Sequence, residues 1–543
     1  MQNDERRVVN KRAANGARRF PEFSLITHHS SLITAFVLGA ITVAGFAPLY
    51  LFPLPVVTLA GLYALWLRAT GPRAAAAAGF AFGLGLFLCG VPWIYVSLHD
   101  FGAMPAPVAI LVTALFCAFL ALFPAAAGYA CSRPRLPAVL RFALLAPAVW
   151  TLLEWTRGWL FTGFPWLELG YSQIPASPLA GLAPVLGIHG VTLATAASAG
   201  LVVVLWRHAT TTADGGWRTA DGRNGRLLSF VLHPSFLILL VLWAGGWGLK
   251  PVEWTAPVGD PVNVSLLQGN IPQDLKWRED RLPATLKTYS ALAGAVSSPL
   301  IVLPETALPL FLDQVPPDYL SALARRAREN GGDVLIGIPE RLPGGAYFNS
   351  VVSFGTAPTQ TYRKSHLVPF GEFIPLRPLL AGIVGKLAIP LQDFSRGEPT
   401  QRPLAVAGQR VAVNVCYEDA FGAEIIRQLP EATLLVNVSN VAWFGRSLAP
   451  RQHLQISQAR ALETGRYLVR ATNTGVTAVV GPDGRLLGAA PEFTMAAITH
   501  PVQGYGGATP YVRAGNAPAL ALCVALIAAA AWRGRRRGNR SAA

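Results

Sequence analysis

Eight apolar runs constrain this chain more than anything else in its sequence. They fall at 31–50, 53–68, 74–98, 104–130, 138–157, 183–206, 230–249 and 515–532. A helix of about 20 predominantly apolar residues crosses a hydrocarbon core about 30 Å thick. Most of the runs approach that length, although 53–68 is short and begins among prolines. Only 14% of the 543 residues are charged, where soluble proteins carry about 25%. The mean hydropathy is +0.40. The expected architecture is a membrane α-helical bundle of about eight spans carrying one polar domain. The first run has the character of a signal-peptide core. With six further runs close behind it, it reads as an uncleaved helix.

The formal net charge of +16 could indicate a nucleic-acid partner, but its distribution says otherwise. Residues 251–515 are nearly balanced, with 23 Lys and Arg against 21 Asp and Glu. The excess sits between the apolar runs. Arg6, Arg7, Lys11, Arg12, Arg18 and Arg19 precede the first, and Arg68 and Arg73 follow the second. Arg133, Arg135 and Arg141 follow the fourth, Arg207, Arg218, Arg223 and Arg226 the sixth, and Arg533, Arg535, Arg536, Arg537 and Arg540 the eighth. Lys and Arg collect at the cytoplasmic ends of spans. Every even run ends in such a segment, so both termini are expected in the cytoplasm and the polar domain in the periplasm of a Gram-negative inner membrane. The expected order is a basic cytoplasmic tail at 1–30, a seven-helix transmembrane bundle at 31–250 and a periplasmic domain at 251–514. A final span at 515–532 and a basic cytoplasmic tail at 533–543 complete it.

Within the polar domain, short β-branched runs alternate with amphipathic stretches, the pattern of an α/β fold. Strands are expected at 262–267, 299–303, 333–338, 349–354, 360–363, 410–415 and 434–438. Helices are expected at 282–292, 317–330 and 452–463, and a hairpin at 476–487 that turns on Gly481-Pro482-Asp483-Gly484. Residues 376–394 are unusually apolar (Leu379, Leu380, Ile383, Val384, Leu387, Ile389, Leu391) and are expected either to form a membrane-facing arm or to pack as a core helix.

Of the five cysteines, Cys89, Cys117, Cys131 and Cys523 lie in or beside apolar runs, where a thiol packs as a small hydrophobe. Cys416 alone lies in the polar domain, so it is a lone candidate reactive thiol. It ends a strand-like run, and Glu305 and Lys364 also stand just beyond such runs. Groups at the carboxyl ends of strands converge on one crevice in open α/β sheets. A free thiol has a pKa of about 8.5, so it attacks an acyl carbon efficiently only with help. A carboxylate can take its proton, and an ammonium can stabilise the oxyanion that forms. Glu, Lys and Cys together suffice for acyl transfer.

The words around these residues extend the reading. Leu303-Pro304-Glu305-Thr306 is followed by Tyr362-Arg363-Lys364, then by His366-Leu367-Val368-Pro369-Phe370-Gly371-Glu372, then by Cys416-Tyr417-Glu418. Beside them stand Gln268-Gly269-Asn270-Ile271-Pro272-Gln273, Lys276-Trp277 and Asn440-Val441-Ala442-Trp443-Phe444-Gly445. This set resembles the nitrilase superfamily and, with the membrane spans, its membrane-bound acyltransferase branch. The resemblance implies an α-β-β-α sandwich with Glu305 as base, Lys364 as oxyanion-stabilising cation and Cys416 as nucleophile. The backbone N–H of Tyr417 would be a further oxyanion donor. Trp277, Glu372, Tyr417, Glu418 and Trp443 would line the pocket or support the triad. The implied reaction moves an acyl chain from a phospholipid donor, through a thioester on Cys416, to the α-amino group of the diacylglyceryl-cysteine of an apolipoprotein. No cofactor and no metal are implied.

Three other readings use the same chain. A membrane-tethered amidase would keep the chemistry and use water, but a tether needs one helix. A transporter would place ionisable groups near the bilayer midplane. Here Glu154 and Arg157 read as an interfacial pair at a span end, and His189 as hydrogen-bonded packing. A Cys–His protease could draw on His366 or His453. The three His and one Cys of the domain lack ligand-like spacing for a metal.

Overall fold

The computed structural model describes residues 21–214, 231–374 and 393–542. The apolar stretch at 376–394 lies outside them except for its last two residues, as do residues 1–20 of the basic N-terminal tail. Among the described residues, the longer helices before the polar domain are α1 Pro21–Thr42, α2 Pro53–Arg68, α3 Pro72–Gly90, α4 Ala106–Ser132, α5 Ala146–Arg157, α6 Ala183–Asp214 and α7 Pro234–Leu249. Among the described residues, five helical segments are long and apolar enough to cross a membrane: Pro72–Gly90, Ala106–Ser132, Ala138–Arg157, Pro178–Thr210 and, towards the C-terminus, Ala517–Arg536. Three shorter apolar helices, His29–Gly45, Pro53–Arg68 and Pro234–Leu249, accompany them. Small residues let the helices approach closely. A Cβ on Gly39 of α1 would stand 1.9 Å from the carbonyl oxygen of Phe82 on α3.

Glu154 and Arg157 are not an exposed interfacial pair. Both are buried at the end of α5, and each holds the following loop. Arg157 donates to the carbonyl oxygens of Phe164 and Trp166 at 2.5 and 2.7 Å. Glu154 accepts the N–H of Leu169, the indole N–H of Trp150 and the hydroxyl of Thr192. The loop's own backbone groups need partners away from water, and that demand outweighs direct pairing of the two charges.

Among the described residues, two six-stranded sheets form the body of the polar domain, beside a two-stranded pairing of Ala256–Pro257 with Tyr505–Gly506. The first holds β1 Val262–Gln268, β2 Leu300–Val302, β3 Asp333–Arg341, β4 Tyr347–Gly355 and β5 Thr361–Arg363. The second holds β6 Leu404–Val406, β7 Gln409–Val415, β8 Leu434–Ser439, β9 Leu468–Thr472, β10 Ala478–Val480 and β11 Leu486–Ala489. The first sheet is completed by β12 Ala496–Val502, which returns to pair antiparallel with β1. In each sheet the central neighbours run parallel: β1 with β2 and β2 with β3, then β7 with β8 and β8 with β9.

The inner faces pack together through Val264, Leu266, Val302 and Leu335 on one side and Val411, Val413, Val436 and Val469 on the other. Helices α8 Leu282–Gly294 and α9 Pro317–Glu329 cover the outer face of the first sheet, with Tyr289, Ala293, Leu323 and Ala327 meeting Ile301 and Val334. Helix α10 Ala449–Thr464 covers the second through Leu454 and Ala461. The result is the expected α-β-β-α sandwich. Sequence periodicity missed β6, β9 and β12. Strand β9 carries Arg470 in its centre, which interrupts the apolar pattern yet is buried. Strand β12 alternates between half-buried and exposed residues and includes Pro501, which a strand tolerates only at an edge.

Helix α10 joins the sandwich to the bundle. Every residue of it except Arg451 is buried, although its sequence is polar. Gln452, Gln455 and Gln458 recur every third residue and so share one face. Gln452 Oε1 accepts the indole N–H groups of Trp166 and Trp93 at 2.7 and 3.2 Å, and its Nε2 donates to Gly90 O at 2.9 Å. Gln455 accepts Ala47 N–H at 2.9 Å and donates to Ile174 O at 2.9 Å. Gln458 accepts from the Tyr50 hydroxyl at 3.3 Å.

Candidate active site

Glu305, Lys364 and Cys416 follow β2, β5 and β7, and the sandwich brings those strand ends together. Lys364 Nζ lies 2.9 Å from Glu372 and 3.6 Å from Glu305. Asn349 on β4 bridges the two carboxylates, its Nδ2 donating to Glu305 at 2.8 Å and to Glu372 at 2.9 Å. The Asn440 N–H donates to the other oxygen of Glu305 at 2.7 Å, and the Val368 N–H to Glu372 at 2.8 Å. Lys364 is 1% exposed and Glu305 7%.

Buried charges persist only when neighbours compensate desolvation. Burial pushes the Glu305 carboxyl up, but Lys364, Asn349, Lys276 and the Asn440 N–H together hold it below the ordinary carboxylate range. Burial pushes Lys364 down, but Glu372 and Glu305 hold its ammonium well above the usual lysine range. Cys416 goes the other way. Burial raises its thiol, Glu305 raises it further, and Lys364 only partly opposes them. The resting site is therefore a neutral thiol within the field of an ionised carboxylate and an ammonium.

The backbone at Cys416 is left-handed, with φ of 53°. Such a conformation costs a non-glycine residue on the order of 1–3 kcal/mol, and surrounding structure must enforce it. Glu418 does so from one side. Its carboxylate accepts the N–H groups of Val415, Ser365 and His366 at 2.7, 2.7 and 3.0 Å and the Tyr362 hydroxyl at 3.0 Å. From the other side, the Cys416 carbonyl oxygen accepts from Asn437 Nδ2 at 3.2 Å and from His453 Nε2 at 3.1 Å. Arg470 donates to His453 Nδ1 at 2.8 Å, so the imidazole carries its proton on Nε2. That proton faces Asp419 at 2.6 Å as well as Cys416 O. Burial and Arg470 push the His453 pKa down despite Asp419. The second imidazole, His366, faces Thr162 O at 3.0 Å and Glu424 at 3.2 Å. Both rings are committed to groups other than the thiol, which removes the support for a Cys–His dyad.

The remaining sequence candidates divide by place. Glu372 touches Lys364 directly, and Glu418 braces the Cys416 turn. Tyr417 and Trp443 lie where the sandwich meets the bundle. Tyr417 donates its hydroxyl to Gly163 O at 2.9 Å and stacks on Trp166. Trp443 meets Phe101 edge-on at 6.2 Å, and its carbonyl accepts from Ser97 Oγ at 2.8 Å. Trp277 is half-buried. Sequence reasoning assigned no role to Asn349, Asn440, Asp419, Arg470 or Lys276, and offered His453 only as a base for a Cys–His protease. Asn349 and Arg470 had one available signal, a polar residue amid an apolar strand. Among the described residues, no group of three His, Cys, Asp or Glu is arranged to hold a metal ion.

Comparisons with known proteins agree with this layout. The family model for the apolipoprotein N-acyltransferase N-terminal domain matches residues 38–201, and that for carbon-nitrogen hydrolase matches residues 263–511. An apolipoprotein N-acyltransferase of Nitrosomonas europaea is 53% identical over 93% of this chain and 98% of its own length. Another, of Chromobacterium violaceum, is 46% identical over 94% of this chain and 95% of its own. Among solved structures, an amidase from Nesterenkonia sp. overlaps 48% of this chain and 95% of its own at 20% identity, with a TM-score of 0.35.

Proposed function

Since the chain belongs to the apolipoprotein N-acyltransferase family, we propose that it transfers an acyl chain from a membrane phospholipid, through a thioester on Cys416, to the α-amino group of a diacylglyceryl-cysteine. The protein is a membrane acyltransferase of lipoprotein maturation, and it performs the last, N-acylating step. The observation that carries the mechanism is the buried Lys364 ammonium, 2.9 Å from Glu372 and 3.6 Å from Glu305, whose charge acts on the Cys416 thiol.

In the first half-reaction the Cys416 sulfur attacks the ester carbonyl while Glu305 takes the thiol proton. Lys364 and the Tyr417 N–H stabilise the oxyanion. The ester C–O bond then breaks, and Glu305 returns the proton to the departing lysophospholipid. In the second half-reaction the acceptor amine attacks the thioester, Glu305 accepts its proton, the C–S bond breaks, and Glu305 passes the proton to the departing thiolate, which regenerates the thiol. Glu372 keeps Lys364 charged and oriented. Tyr417 and Trp443 set the site against the bundle, and Trp277 contributes to the pocket wall.

The membrane half supports these substrates physically. Each buried CH₂ is worth about 0.8 kcal/mol, so diacyl substrates stay in the bilayer and the site must come to them. We place the sandwich in the periplasm and both termini in the cytoplasm of an inner membrane, on the Lys and Arg pattern of the even spans. The three shorter apolar helices complete a bundle of eight spans in this reading. Helix α7 exposes Ile238, Leu240, Val241 and Trp247, as a lipid-facing helix does.

The direct test incubates purified protein with acyl-labelled phospholipid. Wild type should acquire a hydroxylamine-labile label and pass it to a diacylated lipopeptide bearing a free α-amine. Cys416→Ala should acquire none. Free fatty acid as the main product in the presence of the acceptor peptide would overturn the transferase reading in favour of a hydrolase.

A further inference from the structure

The mechanism above uses one ammonium, yet a second is buried in the same site. Lys276 is 2% exposed, and its Nζ donates to the backbone carbonyl oxygen of Glu305 at 3.3 Å. The loop that carries it is pinned. Asn270 N–H donates to Asn473 O at 2.8 Å, Ile271 N–H to Asn473 Oδ1 at 2.9 Å, and Asn473 Nδ2 to Ile271 O at 2.7 Å. Asn440 Nδ2 donates to Gln273 Oε1 at 2.8 Å, while the N–H of the same Asn440 holds the Glu305 carboxylate. One set of hydrogen bonds therefore fixes both Lys276 and Glu305. Lys364 has two carboxylates within ion-pair distance. Lys276 has none among the described residues. A buried ammonium without a carboxylate in contact is costly, and here one is held beside the group proposed as base.

We propose that Lys276 is a positioning residue that acts through Glu305, holding its carboxylate ionised and so setting the lowest pH at which Cys416 can be deprotonated. This rests on Glu305 being the base of the acyl transfer. The charged and titratable groups facing Lys276 are Glu305 after β2 and Cys416 after β7, with Lys364 beyond them acting on Glu305 and Glu372 acting on Lys364. Burial brings Lys276 down to about 8, against the opposing pull of Glu305 and Cys416. Below that value Lys276 is charged and stabilises the ionised carboxylate. Losing its charge raises the carboxyl's pKa.

The experiment is the pH profile, from about 5 to 9, of single-turnover thioester formation with acyl-labelled phospholipid. Variants Lys276→Met and Lys276→Arg are compared with wild type. In Lys276→Met the acid limb should move up by about one pH unit. The rate should then fall about tenfold at the low end and approach wild type near the high end. Lys276→Arg should keep the wild-type acid limb. A loss in Lys276→Met that is uniform across pH, or an unshifted limb, overturns the assignment. Should Lys276→Met not fold, Lys276→Gln takes its place, since it keeps a donor for the Glu305 carbonyl oxygen without the charge. Its acid limb should move up in the same way, and a wild-type limb in folded Lys276→Gln overturns the proposal. Wild type that never acquires label overturns the acyl-transfer reading instead.

Discussion

Glu418 accepts the backbone N–H of Val415 at 2.7 Å, and this contact closes the turn on which Cys416 stands. The same carboxylate takes the N–H groups of Ser365 and His366, just after Lys364. One buried side chain thus holds the proposed nucleophile and the proposed oxyanion cation in register. Glu418→Ala should strand those donors and lower stability by about 1–3 kcal/mol. Displacement of the turn should slow thioester formation about 100-fold. A variant that melts early yet acylates at the wild-type rate would assign Glu418 a purely structural role.

Removing Lys364 leaves Glu305 and Glu372 buried without a counter-ion between them. Breaking a buried pair from one side costs about 3–5 kcal/mol. Glu305 is held low, so its contribution to stability is complete above its unfolded value of about 4.3 and is lost as pH falls through the folded value. Lys364 is held high, so its contribution is complete below about 10.4 and is lost only as pH rises through the folded value. Wild type should therefore keep this stabilisation from about pH 5 to 9. Lys364→Met should melt lower at pH 8 and recover part of the loss on acidification, when one carboxyl takes up a proton. Melting curves at a series of pH values check this, and a flat profile in the variant contradicts it.

Arg470 reaches four partners from one guanidinium: Asp419 at 3.1 Å, Asn437 at 2.6 Å, Ser457 at 3.1 Å and His453 at 2.8 Å. His453 and Asn437 in turn hold the Cys416 carbonyl. A lysine supplies the charge without the planar fork. Arg470→Lys should therefore fail to restore the thioester rate that Arg470→Met loses. Full rescue by lysine would show that charge alone matters there.

Gly163 has φ of +87°, and a Cβ on it would stand 2.2 Å from Gly158 O. Gly163→Ala must shift the membrane-side loop whose carbonyl accepts the Tyr417 hydroxyl. Thioester formation should fall about tenfold while the sandwich stays folded. Tyr417→Phe should add little on top of Gly163→Ala, because both changes remove the same contact. Independent, additive losses in the double variant would disprove the coupling.

The proposed orientation is open to chemical labelling. Ser290 on α8 is exposed, as is Arg135 in the segment after α4. A cysteine at position 290 should react with a membrane-impermeant maleimide in intact spheroplasts. One at position 135 should react only after lysis. The reverse pattern would put the catalytic domain on the cytoplasmic side.

Much of this protein was legible before folding. Apolar runs in lipid must become helices, because no water is present to satisfy the backbone. Most strands announced themselves as β-branched runs, and Glu305, Lys364 and Cys416 stood out because polar groups follow such runs. The supporting cast was not legible. Asn349 read as the start of a strand, Arg470 lay in no expected strand, and Glu154 and Arg157 read as an interfacial pair, since nothing in local sequence reports a hydrogen-bond partner from another element.

The amino-acid order alone determined which segments are apolar, which alternate, and which reactive groups end up beside strand termini, because those properties depend on a few neighbouring residues. The tertiary structure decided the rest. Gln455 meets Ala47 across 408 positions of chain, and only that meeting lets a polar helix be buried between a sheet and a membrane bundle. The ionisation of Glu305, Lys364 and Lys276 likewise belongs to the folded site, since it depends on burial and on charges that no stretch of sequence brings together.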